Sequence, residues 1–144
     1  MEMALAEAER ALARGEVPVG CVVVDSMTET VVASAGNRVE ELRDPTAHAE
    51  MLALRAAARR LGSRHLTACD LYVTLEPCAM CAAAMSFARI RRLCFGAYDV
   101  KMGGVEHGAR VFARETCHHR PEVVGGLSET AAAGLMQRFF AARR

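Results

Sequence analysis

The segment Leu71-Tyr72-Val73-Thr74-Leu75, continuing as Glu76-Pro77-Cys78-Ala79-Met80-Cys81, decides the fold class. The first five residues are β-prone and read as a strand; Pro77 ends it and suits the first turn of a helix. Residues 79–89 are rich in small and apolar helix formers, and a second apolar run, Leu93 to Ala97, follows at once. Strand, helix and strand in so short a span make a βαβ unit, whose two strands lie parallel.

Upstream, the runs Val19–Asp25 and Val31–Ala35 flank the polar stretch Ser26–Thr30 and read as a hairpin. Residues 3–13 place Met3, Leu5, Ala8 and Leu12 at helical spacing, with Gly15 just past the end. Residues 47–61 read as a second helix, begun directly after Asp44-Pro45 and stopped by Gly62. Downstream, Gly103-Gly104 mark a loop, Val105–Phe112 a short helix and Glu122–Val124 a short strand. Ser128 suits the N-cap of a last helix striped by Leu135, Met136, Phe139 and Phe140. A hairpin followed by βαβ units predicts a mixed, five-stranded sheet in a three-layer α/β/α domain spanning residues 1–144.

With 52% apolar and 24% charged residues, the 144-residue chain has ordinary globular usage, which excludes disordered and fibrous classes. Its longest apolar stretch, Cys78–Met85, is far too short to cross a bilayer. Glu2, Glu7 and Glu9 near the start, with no early basic cluster, do not read as a secretory leader, so a cytoplasmic protein is expected. The formal net charge of +1 hides an asymmetry. Residues 1–88 hold 8 basic and 12 acidic groups, whereas residues 89–144 hold 10 and 5. A basic C-terminal portion suits phosphates, although scattered, solvated charges would give the same count.

Of six cysteines, Cys21, Cys69 and Cys94 lie in or beside strand-like runs and read as core. Cys78 and Cys81 do not. Three-residue spacing puts both sulfurs on one side of a helical turn, and a helix N-terminus favours thiolates. His48 and Glu50 open the preceding helix. Two thiolates and one imidazole make a three-ligand zinc site with a fourth position free for water, the arrangement of a catalytic zinc. In an ideal helix residues 48 and 50 point roughly 200° apart. They can face one metal only if His48 sits at the non-helical start, with Glu50 beside the metal-bound water rather than on the metal. A lone Cys-x-x-Cys also suits a redox pair or half of a structural zinc site, but no second such pair exists to close four ligands. His65, His107, His118 and His119 are scattered.

His-x-Glu followed about thirty residues later by Pro-Cys-x-x-Cys is the signature of zinc deaminases. Beyond it the chain resembles the bacterial tRNA-specific adenosine deaminases, a family of the cytidine/deoxycytidylate deaminase superfamily. The likeness runs through residues 15–20, Gly36-Asn37-Arg38, Asp44 to Glu50, Leu71 to Cys81, Phe95-Gly96-Ala97 and Phe139-Phe140. The resemblance implies a cytidine-deaminase-like fold, a cytoplasmic homodimer with one zinc per subunit, and deamination of adenosine to inosine at the wobble position of an arginine tRNA. It implies that His48, Cys78 and Cys81 bind zinc and that Glu50 shuttles protons. Asn37 would contact the flipped nucleoside, Asp99, Lys101 and His119 would lie near the RNA, and the C-terminal helix with Arg143 and Arg144 would help hold the anticodon loop. Tyr98, Glu106-His107-Gly108 and His118-His119 depart from the family pattern. Two competing readings are a free-nucleobase deaminase and a zinc-binding module that recognises RNA without catalysis.

Overall fold

The computed structural model describes residues 1–144. Helix α1 (Glu2–Ala13) leads into the hairpin β1 (Gly20–Asp25) and β2 (Thr30–Gly36). The hairpin turn is held by Asp25, whose Oδ1 accepts the N–H groups of Met27 and Thr28. A four-residue helix α2 (Val39–Leu42) follows, then α3 (Ala49–Leu61), β3 (Cys69–Leu75), α4 (Ala79–Ala88) and β4 (Arg92–Ala97). A 3₁₀ turn (Val111–Ala113), β5 (Glu122–Val124) and α5 (Glu129–Ala141) complete the chain.

The five strands form one mixed sheet in the order β2-β1-β3-β4-β5. β1 runs antiparallel to β2 and β3, whereas β3, β4 and β5 run parallel. Alternation along each strand divides the molecule into layers. Cys21 and Val23 of β1, Leu71 and Val73 of β3, and Leu93 and Phe95 of β4 meet Ala53, Leu54, Ala57, Ala82 and Met85 of α3 and α4. The opposite face carries α1 and α5. Cys21, Cys69 and Cys94 are buried, as expected of core residues.

Helix α1 lies against bare backbone. A Cβ added at Gly20 would stand 1.9 Å from the Ala4 carbonyl oxygen and 2.5 Å from the Ala8 nitrogen. Nothing there can yield, because both neighbours are main chain. Gly20→Ala is therefore expected to cost about 3 kcal/mol and to lower the melting temperature by roughly 10 °C. A melting temperature within two degrees of wild type by calorimetry would show that α1 slides freely.

Local chemistry revises four sequence expectations. Of the helix expected over Val105–Phe112 only the end appears, in the 3₁₀ turn at Val111–Ala113; residues 105–110 are a loop, because the N–H groups of Val105, Glu106 and His107 turn inward to one buried carboxylate and Gly108 has a φ of +53°. The helix expected over 47–61 begins at Ala49, so His48 lies outside it. Pro77 precedes the cap of α4 instead of entering its first turn. Ser128 does occupy the N-cap of α5, but with a left-handed backbone and no side-chain cap bond.

Candidate active site

The N-termini of α3 and α4 converge outside the carboxyl end of β3, the position where open α/β sheets hold ligands. His48 caps α3 in extended conformation (φ −68°, ψ 149°) and Cys78 caps α4 likewise (φ −70°, ψ 173°). Neither side chain bonds its own helix. A Ser, Thr, Asp or Asn at each cap would stabilise it by about 1 kcal/mol, so both helices forgo that to aim their cap side chains at each other. His48 Nδ1 lies 3.6 Å from Cys78 Sγ and 3.6 Å from Cys81 Sγ. Tetrahedral zinc with ordinary Zn–N and Zn–S lengths sets that separation at about 3.6 Å. All three ligand atoms lie within 4.8 Å of one another, and no other such cluster of His, Cys, Asp or Glu occurs in the chain. The residues present fit the ion.

The electrostatics suit the same use. The Cys78 thiol is pulled down to about 4, chiefly by the hydrogen bond from Cys81 and secondly, against burial, by His48. Cys81, buried beside the resulting thiolate, is pushed far up. The partnership with Cys78 raises the His48 pKa, opposed by burial. Burial raises Glu50 to about 7, with the Cys78 thiolate adding to it. A carboxyl poised there can both take and return a proton near neutral pH.

His48, Cys78 and Glu50 border a cavity of about 470 Å³, walled by Asn37, Asp99, Met102, Phe139 and Arg143 among others. Asn37 is buried, and its Oδ1 accepts the Ala49 N–H at 2.8 Å, capping α3 from outside. Helix α3 thereby regains the cap bond His48 does not make. Lys101 lines an adjoining cavity of about 900 Å³ that shares Leu75, Asp99, Met102 and Arg143 with the first. Tyr98, Phe140 and Arg144 line it as well. His119 stands apart from them, on the α3–α4 side with His65 and Phe87, where its Nε2–H donates to the Ile90 carbonyl at 2.7 Å.

Residues 1–97 match the family model described as the cytidine and deoxycytidylate deaminase zinc-binding region. A tRNA-specific adenosine deaminase of Agrobacterium fabrum is 54% identical over 144 residues, covering all of this chain and 93% of that one. The chain belongs to the tRNA-specific adenosine deaminases. Its Bacillus subtilis relative of the same name is 39% identical, across 97% of this chain and 86% of that one. A solved tRNA:A34 deaminase, studied for A-to-I editing at the wobble position of transfer RNA, superposes with a TM-score of 0.91 at 55% identity. It covers 94% of this deaminase and 96% of its own chain. A guanine deaminase from Nitrosomonas europaea superposes at 0.83 but with 25% identity, over 97% and 82% of the two chains. The expected three-layer, cytidine-deaminase-like fold with a mixed five-stranded sheet is thus the one observed.

Sequence reasoning passed over two features of this deaminase. Glu76 is fully buried, and its carboxylate accepts the N–H groups of Asp99, Val105, Glu106 and His107. An acidic residue at the end of an apolar strand, directly before Pro77, was the available signal. Arg143, which the resemblance implied would help hold the anticodon loop, lies 3.5 Å over the Phe139 ring and donates to the Gly15 carbonyl at 2.9 Å. It closes the pocket rim between α5 and the 15–17 turn.

Proposed function

We propose that this zinc-dependent deaminase converts adenosine to inosine at the wobble position of an arginine tRNA anticodon, with His48, Cys78 and Cys81 holding one zinc per subunit. The observation that carries the reading is the convergence of an imidazole and two sulfurs at zinc spacing with the buried Glu50 carboxyl beside them. Bound there, zinc supplies a Lewis acid that brings the pKa of water towards about 7. Glu50 takes one proton of the attacking water and carries it to adenine N1, then takes the second from the new C6 hydroxyl and delivers it to the departing amine. Water thus adds across C6 and N1, and ammonia leaves.

The cavity takes one base out of the stack. In a single-stranded anticodon loop that costs only a few kcal/mol. Asn37, its Oδ1 occupied by Ala49, has its amide N–H₂ to offer the nucleoside. Asp99 and Met102 wall the pocket, and Lys101, Arg144 and the exposed Phe140 and Tyr98 form a basic, aromatic surface alongside, suited to stacked bases and phosphates. His119, facing another side, would meet RNA only where the backbone continues past the α4 end. Such a substrate places the enzyme in the cytoplasm, and no helix is long and apolar enough to cross a membrane.

Helix α4 supports a homodimer. Ala82 and Met85 are core, whereas Ala83 and Ala88 are half-buried and Phe87 is 76% exposed. Strictly monomeric, active protein in light scattering would remove that part of the proposal.

Asn37→Asp separates the two roles of that side chain. It keeps the Oδ1 acceptor for Ala49 but loses the amide donor. The variant is expected to melt near wild type and to lose tenfold or more in kcat/KM, as a good hydrogen bond to substrate is worth about 1.5 kcal/mol. Wild-type kinetics would leave Asn37 a cap alone. The substrate class is tested by ammonia release from an anticodon stem-loop RNA against free guanine, cytosine and adenine. Release from the RNA alone is expected; release from a free base alone would move the substrate to that base.

A further inference from the structure

The wall of the pocket formed by residues 98–107 hangs from one carboxylate. Glu76 Oε2 accepts the Asp99 N–H at 3.0 Å, and Oε1 accepts Val105, Glu106 and His107 N–H at 3.3, 2.9 and 3.0 Å. Asp99 Oδ1 in turn accepts the N–H groups of Lys101 and Met102, which closes a tight turn around the residues that face the cavities. Gly103 and Gly104 let this turn press against the start of α4, since a Cβ at either would stand within 2.6 Å of Glu76 or Ala79 atoms.

One side chain completes the assembly from outside. His107 Nδ1 donates to Glu76 Oε2 at 2.9 Å, the same oxygen that holds Asp99. The His107 ring stands edge-on to Tyr98, centroids 6.1 Å apart, and Tyr98 stands edge-on to the buried Phe95 at 5.1 Å. Such pairs contribute beyond their buried area and hold a fixed ring angle. His107 therefore grips the turn on both sides, at Asp99 through the shared oxygen and at Tyr98 through the ring. It is half-buried and stands outside the His48, Cys78 and Cys81 cluster.

We infer that His107 is a positioning residue for the RNA substrate, fixing through Glu76 and Tyr98 the turn that presents Asp99, Lys101 and Met102 to the pocket. The inference rests on the proposed tRNA reaction. Because the groups that would bind zinc and move protons lie on other segments, His107 sets how well substrate is held rather than how fast it reacts.

The test compares wild type, His107→Ala and His107→Asn on an anticodon stem-loop RNA. Asparagine offers an amide N–H near the place of Nδ1; alanine offers none. His107→Ala is expected to raise KM about tenfold with kcat little changed, the pattern of lost uniform binding, and His107→Asn to restore most of it. Zinc content should stay at wild-type level in both. In hydrogen exchange, the Asp99 amide should exchange faster in His107→Ala and recover in His107→Asn. An unchanged KM, a loss confined to kcat, or an asparagine variant no better than alanine would overturn the inference. Wild type inactive on the RNA would refute the proposed reaction instead, and the exchange comparison would then still show whether His107 holds the turn.

Discussion

Glu50→Gln is expected to lower turnover of a tRNA substrate by about 10³-fold while leaving zinc content and RNA affinity near wild type. A positioned acid–base group contributes roughly 10²–10⁴ in rate, and this carboxyl is buried in the pocket at a pKa near neutrality. Glutamine keeps the shape and the hydrogen-bonding reach but cannot carry a proton. Because the substitution replaces a carboxyl with a neutral group of equal size, the burial that raises the Glu50 pKa no longer penalises an ionised form, and the variant should fold at least as well. Single-turnover kinetics, metal analysis and RNA titration on the same preparation separate the outcomes. Loss of zinc in the variant would make Glu50 a ligand and overturn its role. Turnover within tenfold of wild type would place the proton shuttle elsewhere.

Cys81→Ala is expected to abolish both zinc binding and activity. Cys81 is the third residue of α4 and completely buried. Removing it leaves His48 and Cys78, two donors where a catalytic zinc needs three. Zinc per chain should fall below about a tenth of the wild-type value, since losing one of three protein ligands leaves a two-ligand site. Activity should fall with it. Prolonged chelation of the wild type should reproduce the loss, and added zinc should restore wild type but not the variant. A variant that retains one zinc per chain would show that Cys81 is not a ligand.

The architecture was legible because its signals are local. The runs on either side of Ser26–Thr30, the run before Pro77 and the run Leu93–Ala97 all form strands close to the bounds expected. The geometry of the His48–Glu50 pair was also readable, since a 200° conflict leaves only a non-helical His48, and the extended N-cap is what the backbone adopts. Legibility failed where a distant group decides the backbone. Residues 105–112 read as a helix in isolation, but the buried carboxylate of Glu76, 29 to 31 positions away in sequence, captures the N–H groups of Val105, Glu106 and His107. The same holds for Arg143, whose partners are the Phe139 ring four residues back and a carbonyl 128 residues away. Asn37, by contrast, lines the pocket, and its cap on α3 was visible only in three dimensions.

The most direct test of the account is to incubate the protein with an in-vitro transcribed arginine tRNA bearing an unmodified wobble adenosine, and to map inosine by sequencing. Inosine at that adenosine alone, absent in the Glu50→Gln variant, is the predicted result. An unedited transcript, with ammonia released from free guanine or cytosine in parallel, would contradict it.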